Sequence, residues 1–290
     1  MKILVTGAGG MLAKAVEAAL ERSGQDQWSM KTHQALNVTA PHLTAMIGEY
    51  QPDWILHLAA FTQVDNCEEQ ESHAFKVNAE GARNVARAAV DLGAAVLMVS
   101  TDYVFSGESN APYREDDPTG PLSVYGKSKL AGEEAVREVA PDQHLIVRTS
   151  WLYGHGGRNF VDTILERVKA GEPLKVVEDQ LGSPTWTVDL AEGLLRLISR
   201  DARGTFHCTN RGECSWFDLA GYVLAQSGLE ASLTRTDSAS LGRPAPRPKY
   251  SVLNLDKFER FTEWKMPEWR SAVDRYLASR QADEERRHAT

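Results

Sequence analysis

The chain has 290 residues, 42% of them hydrophobic, and a formal net charge of −8. That length supports one large core or two modest ones, and the acidic balance speaks against a nucleic-acid surface or an anionic membrane as partner. An anionic small molecule would need cations gathered locally. Met1-Lys2-Ile3-Leu4-Val5 leads straight into a glycine motif instead of a signal-peptide cleavage site, and no apolar run is long enough to span a bilayer, so a cytoplasmic protein is expected. Cys67, Cys208 and Cys214 lack the spacing of metal ligands or of a disulfide framework and read as reduced, structural thiols, with His207 beside Cys208 as strand packing.

Lys2 to Thr6 has the pattern of a buried strand, and Gly7-Ala8-Gly9-Gly10-Met11-Leu12-Ala13 then opens a helix that runs to about Ser23. Such a turn can be merely a sharp connection. Placed directly after a strand, it also fits a phosphate cradle, in which Gly7 makes the turn, Gly10 admits a pyrophosphate and the helix N-terminus offers amide donors. The second strand, near Trp28 to Thr32, ends at Lys31 and His33 where an acidic residue would bond a ribose 2′-hydroxyl. Basic groups suit a 2′-phosphate, so NADPH is expected ahead of NADH. The third strand, Trp54 to Leu58, ends in Ala59-Ala60-Phe61-Thr62, small residues that let a cofactor run close over the sheet edge, and His57 reads as a core histidine. Asp65 to Leu92 reads as one long helix. Asn78, in its middle, fits either a backbone bond near the site or a local structural role.

Ala94 to Val99 is another buried run, which puts Thr101 at the carboxyl end of a strand, where ligands of open α/β sheets bind. Ser123 to about Glu138 has helical spacing and sets Tyr125 and Lys129 four residues apart on one face. A free phenol titrates near pH ~10, and a cation held beside it favours the phenolate, so the pair predicts an acid/base working near neutrality, with the Thr101 hydroxyl on the same substrate oxygen. His144 to Arg148 forms a further strand leading to Trp151, which fits a core position or an apolar wall for a ligand. Gly154-His155-Gly156-Gly157 marks a loop. Val188 to Ser199 is an amphipathic helix expected to return to the sheet, followed by a strand at Thr205 to Cys208 and a helix at Trp216 to Gln226. In Arg243-Pro244-Ala245-Pro246-Arg247-Pro248-Lys249 the prolines fix an extended backbone that is either a solvated basic loop or a clamp for a nucleotide diphosphate, with Arg247 as candidate. Arg280 to Thr290 reads as a frayed, solvated end.

The glycine turn and the Tyr125/Lys129 pair together resemble the extended short-chain dehydrogenase/reductase superfamily. Ser100-Thr101-Asp102-Tyr103-Val104-Phe105, Tyr125-Gly126-Lys127-Ser128-Lys129-Leu130-Ala131-Gly132-Glu133, Arg148-Thr149-Ser150-Trp151 and Gly182-Ser183-Pro184-Thr185 resemble the dTDP-4-dehydrorhamnose reductase family, in family order over nearly the whole chain. The resemblance implies an α/β fold: a doubly wound, mostly parallel Rossmann sheet over residues 1–154 and a smaller α/β substrate domain drawn mainly from 155–290, interleaved because a helix near 187–200 returns to the sheet. It implies reduction of dTDP-4-dehydro-L-rhamnose by NADPH, with NADH left open, Tyr125 as acid, Lys129 as its tuner and Thr101 orienting the carbonyl. The cofactor set would be Gly7, Gly10, Met11, Leu12, His33, Asn37, Val38, Ala59, Ala60, Phe61 and Val99 with Tyr125 and Lys129; Asn37 stands where the family's usual Leu-Asp-Val has aspartate. The substrate set would be Thr62, Val64, Thr101, Asp102 and Trp151, joined by Arg247.

Two other readings stay open at this point. One is a related enzyme that reduces the opposite face to give 6-deoxy-L-talose, and the other a non-catalytic subunit similar to the regulatory subunit of methionine adenosyltransferase. Dehydration is not expected, because the Asp-Glu pair of related sugar-nucleotide dehydratases is Asp102-Tyr103 here. Some family members carry a glutamate early in the first helix that helps bind magnesium at a dimer interface. This chain has Ala13-Lys14-Ala15-Val16 there, so no metal is expected in the chemistry and a homodimer is left open.

Overall fold

The computed structural model describes residues 1–25 and 27–288. The apolar runs form parallel strands β1 (Ile3–Thr6), β2 (Trp28–Lys31), β3 (Trp54–His57), β4 (Ala95–Thr101) and β5 (His144–Thr149), and Gly204–His207 adds a sixth, in the order Gly204–His207, β5, β4, β3, β1, β2. β1 and β3 are buried along their whole length, a pattern that requires cover on both faces. Alternate side chains of each strand serve opposite cores. Ile3, Val5, Leu56 and Leu97 pack on the helices Met11–Arg22 and Thr187–Ser199, whereas Leu4, Ile55, Val96 and Ile146 pack on Leu43–Gly48, Gly81–Leu92 and Val124–Val139. The sheet is therefore doubly wound, and the chain crosses from one side of β1 to the other between β2 and β3, which leaves a crevice at the carboxyl ends of β1 and β3.

A third apolar cluster joins the helices Phe160–Lys169, Trp216–Ser227 and Trp269–His288. The chain after residue 155 thus serves two places, since Thr187–Ser199 and Gly204–His207 belong to the main sheet layers.

Two elements differ from the sequence reading. The expected helix from Asp65 to Leu92 is four pieces: Val64–Glu69, Glu71–Phe75, a π-helical turn Lys76–Glu80 and Gly81–Leu92, with Gln70 out of helical geometry at φ −122° and ψ 47°. The widened turn carries Asn78, which accepts from the Phe61 amide (2.8 Å) and donates to the Phe61 carbonyl (3.0 Å) and Ser128 Oγ (2.9 Å), so it does both jobs proposed for it. The charged end is also not frayed through its length. The last helix continues to His288, docked by Ala272, Val273 and Tyr276 and by Arg280 on Asp162 (3.0 Å), while residues 289 and 290 of that reading lie outside the described residues.

The helix that carries Tyr125 is fixed by charge as well as by packing. Ser123 caps it by accepting from the Gly126 amide (3.1 Å). Two turns on from Tyr125, Glu133 receives both Arg148 Nε (2.9 Å) and Nη2 (2.8 Å) from β5, with the two side chains only 0% and 2% exposed. These guanidinium bonds outweigh burial and hold the Glu133 carboxyl below the usual glutamate range. Glu133→Ala leaves the buried Arg148 charge without its carboxylate, with only the Glu115 carbonyl (3.2 Å) remaining, and should cost about 3–5 kcal/mol in denaturant titration. Because the folded carboxyl titrates below its unfolded value, the contribution of the pair is complete above the unfolded value and is lost as pH falls through the folded one. The gap between wild type and variant should narrow in acid.

Candidate active site

A cavity of about 950 Å³ runs along the carboxyl ends of the strands, from the glycine turn to Trp151 and Trp216. At one end Gly7 has φ +76°, and a Cβ there would lie 2.6 Å from the Ala59 nitrogen, so only glycine lets the turn meet the end of β3. Thr6 Oγ1 fastens the same junction by accepting from the Ala59 amide (3.3 Å) and pairing with His57 Nδ1 (3.0 Å). Burial lowers the His57 pKa to about 3, which makes it a neutral core histidine. The helix Met11–Arg22 begins at Gly10 with no side-chain cap; the Gly10 amide turns back to the Gly7 carbonyl (3.3 Å), and Met11 and Leu12 line the cavity beyond it, so an anion at this end meets the first-turn amides of the helix.

Farther along the wall stand His33, Asn37, Val38, Ala59, Ala60, Phe61, Thr62 and Val64. Asn37 Oδ1 accepts from the Thr39 amide (3.0 Å) and hydroxyl (2.9 Å), which leaves its amide hydrogens as what it offers a ligand. Lys31 is elsewhere. Its ammonium sits 3.9 Å above the centre of the Tyr50 ring, which removes it from the expected ribose end and leaves His33 as the basic group there.

At the carboxyl end of β4 the cavity gathers Val99, Thr101, Asp102, Tyr125 and Lys129. Tyr125 and Lys129 are both buried. Lys129 Nζ donates to the Val99 carbonyl (2.7 Å), and burial lowers its pKa to about 8 against the opposing charge of Glu133. Tyr125 departs from the sequence reading. Burial raises its pKa and a hydrogen bond with Thr101 offsets part of the rise, so the phenol stays protonated at neutral pH instead of being driven toward phenolate by Lys129. Burial also raises Asp102, to about 7, although Thr101 Oγ1 donates to its carboxyl (3.0 Å). Tyr103, pushed up to about 12 chiefly by burial, packs edge-on against Tyr125 at 5.6 Å.

The far wall holds a feature that no local sequence pattern announces. Trp151, in the left-handed region at φ 48°, stacks on Trp216 with ring centres 3.6 Å apart and planes 6° off parallel, and Trp216 Nε1 donates to Gln180 (3.1 Å). One face of Trp151 is thereby covered by its partner. Arg158, Lys76 and His73 also line the cavity and were not singled out in the sequence. Arg247 does not line it. Its Nη2 donates to both carboxylate oxygens of Asp65 (2.9 and 3.0 Å), and Asp65 also accepts from the Ala245 amide (3.2 Å), so the proline loop is latched to the helix Val64–Glu69. Cys67, Cys208 and Cys214 are free and buried, and burial raises all three thiols. Among the described residues no helix is long and apolar enough to cross a membrane.

A parallel sheet with a glycine turn at its crossover and a Thr, Tyr and Lys at the carboxyl end of β4 defines a Rossmann-fold protein of the extended short-chain dehydrogenase/reductase class. The chain belongs to the family described as RmlD substrate binding domain, whose model matches residues 1–282. The dTDP-4-dehydrorhamnose reductase of Streptomyces griseus is 41% identical over 276 residues, covering 93% of this chain and 91% of that one. A crystal structure of a dTDP-4-dehydrorhamnose reductase from Clostridium acetobutylicum matches with a TM-score of 0.93 at 41% identity, covering 97% of this chain and 100% of that one. The Bacillus anthracis dTDP-4-dehydrorhamnose reductase, solved in complex with NADP, matches with a TM-score of 0.92 at 36% identity, covering 96% and 100%.

The position of Tyr125 depends on its neighbour. A Cβ on Gly126 would collide with the Tyr103 carbonyl and lie 3.0 Å from Pro121 Cβ, so this glycine lets the helix approach the loop after β4. Gly126→Ala should cost about 1–3 kcal/mol of stability as an overpacking substitution. Thermal or denaturant unfolding checks it.

Proposed function

We propose that this protein reduces dTDP-4-dehydro-L-rhamnose to dTDP-L-rhamnose with NADPH, in the cytoplasm, supplying rhamnose for cell-surface polysaccharide. The observation that carries this reading is the convergence of Thr101, Tyr125 and Lys129 in one cavity with the glycine turn. The uncapped helix start at Gly10 and the close Gly7–Ala59 junction fit a dinucleotide, which Gly7, Gly10, Met11, Leu12, His33, Asn37, Val38, Ala59, Ala60, Phe61 and Val99 would hold. When bound, NADPH supplies the hydride for C4. Thr101 and Tyr125 orient the C4 carbonyl, and Tyr125 gives its proton to the oxygen as negative charge develops there. A phenol kept neutral by burial is ready for that step, since an alkoxide is a much stronger base than a phenolate. Lys129, cationic below about pH 8, then faces the phenolate left behind. Thr62, Val64, Asp102 and Trp151 form the sugar-nucleotide side, and Arg247 reaches the diphosphate only by leaving Asp65.

The set argues for catalysis over a purely regulatory subunit, which has no chemical need of it. Elimination of water is disfavoured by Tyr103, which remains a neutral phenol next to Asp102 and cannot act as the base.

The test offers the enzyme dTDP-4-dehydro-L-rhamnose with NADPH in one vessel and dTDP-glucose with NAD⁺ in another. Stoichiometric oxidation of NADPH and dTDP-L-rhamnose are expected from the first and nothing from the second; 6-deoxy-L-talose in the first, or a 4-keto-6-deoxy sugar in the second, contradicts the reading. Tyr125→Phe should lower turnover by roughly 10²–10⁴-fold while NADPH binds as before, as measured by cofactor fluorescence. His33→Ala should weaken NADPH by about fivefold and leave NADH nearly unchanged in the same titration.

A further inference from the structure

We propose that Arg158, carried on the loop Gly154–Asn159, binds the diphosphate of the dinucleotide from the side opposite the glycine turn, so that the cofactor is held between the two halves of the chain. The inference rests on the cofactor reading above and assigns a contact that the glycine turn and the strand ends do not supply. Arg158 is exposed and lines the cavity, yet it makes no ion pair or side-chain hydrogen bond among the described residues. The wall contributes one carboxylate, Asp102, against the cations Lys76, Lys129 and Arg158, so the charge of Arg158 is not matched by the protein.

The loop itself is built to stay over the glycine turn. Lys14, in the first turn of the helix Met11–Arg22, donates to the Gly156 carbonyl (3.1 Å). Gly156 turns the loop at φ +82°, a conformation that favours glycine, and a Cβ on Gly157 would lie 3.1 Å from Met11 Cβ, so the loop lies close on the helix start. From the other side Asn159 donates to the Gly154 (3.0 Å) and Gly157 (3.3 Å) carbonyls, and His155 Nε2 pairs with Ser279 Oγ (2.7 Å) on the last helix. The residue after this pinned segment is therefore held on the same cavity wall as the helix start at Met11 and Leu12, with its guanidinium unpaired among the described residues. A planar, always-charged fork at that point suits a diphosphate. The sugar nucleotide carries the same group, so the two sources must be separated.

Arg158→Gln is compared with wild type by titrating NADPH and NADH through their fluorescence and dTDP by calorimetry. The expected result is roughly tenfold weaker binding of both cofactors, a difference that shrinks as salt is raised, with dTDP binding unchanged. Equal cofactor affinity in the two proteins overturns the proposal, as does a loss confined to dTDP. A loss for NADPH but not NADH also overturns it, because it would place the contact on the 2′-phosphate. Wild-type protein that binds neither cofactor would instead refute the reductase reading from which the proposal starts.

Discussion

Tyr125, Lys129 and Glu133 lie at successive four-residue steps on one face of a helix, and each is committed to a different point of the sheet edge. Glu133 takes the Arg148 fork from β5, Lys129 takes the Val99 carbonyl from β4, and Tyr125 reaches the cavity beside Thr101. A slip of one residue in this helix would break all three at once. The buried Glu133–Arg148 pair need not add net stability over an apolar pair, but it fixes the helix against the sheet in one register. Gly126 and Gly132 allow the same docking, because a Cβ at either would collide with a carbonyl, of Tyr103 or of Asn78. Asn78 in turn ties Phe61, on the cavity wall, to Ser128 of the helix. The active-site geometry is thus a consequence of helix-on-sheet packing, with the chemistry resting on it.

Burial also sets the protonation states. It keeps Tyr125 a neutral phenol and lowers Lys129 to about 8, and both effects suit the proposed reduction, in which Tyr125 would start with its proton and the Lys129 ammonium would matter most after that proton had gone. An acidic chain with a net charge of −8 can still take an anionic ligand because its cavity wall holds one carboxylate against three lysine or arginine cations.

Much of this was legible in the sequence, for reasons that are local. Short apolar runs gave the strands, glycines after β1 marked the turn, and the four-residue spacing of Tyr125 and Lys129 placed them on one face; the family resemblance supplied most of the remaining wall. What local patterns do not carry is partnership across the fold. Arg247 finds Asp65 at a separation of 182 residues, Lys31 finds Tyr50, and Trp216 covers Trp151, and in each case the spacing along the chain is unrelated to the distance in space. The π-helical turn at Lys76–Glu80 escaped for a related reason, since the partners of the Asn78 it carries, Phe61 and Ser128, lie elsewhere in the chain and leave no mark on its own periodicity. The electrostatic expectation for Tyr125 was incomplete because spacing shows a nearby lysine and does not show how deeply both groups are buried.

The central claim is that one face of one helix delivers a proton to the oxygen whose carbon receives hydride. The most direct test is to run the reaction with NADPH carrying deuterium at the transferable position of the nicotinamide and to examine the product by NMR. The account predicts a single deuterium at C4 of dTDP-L-rhamnose. Deuterium at any other carbon, or an unlabelled product, would contradict it.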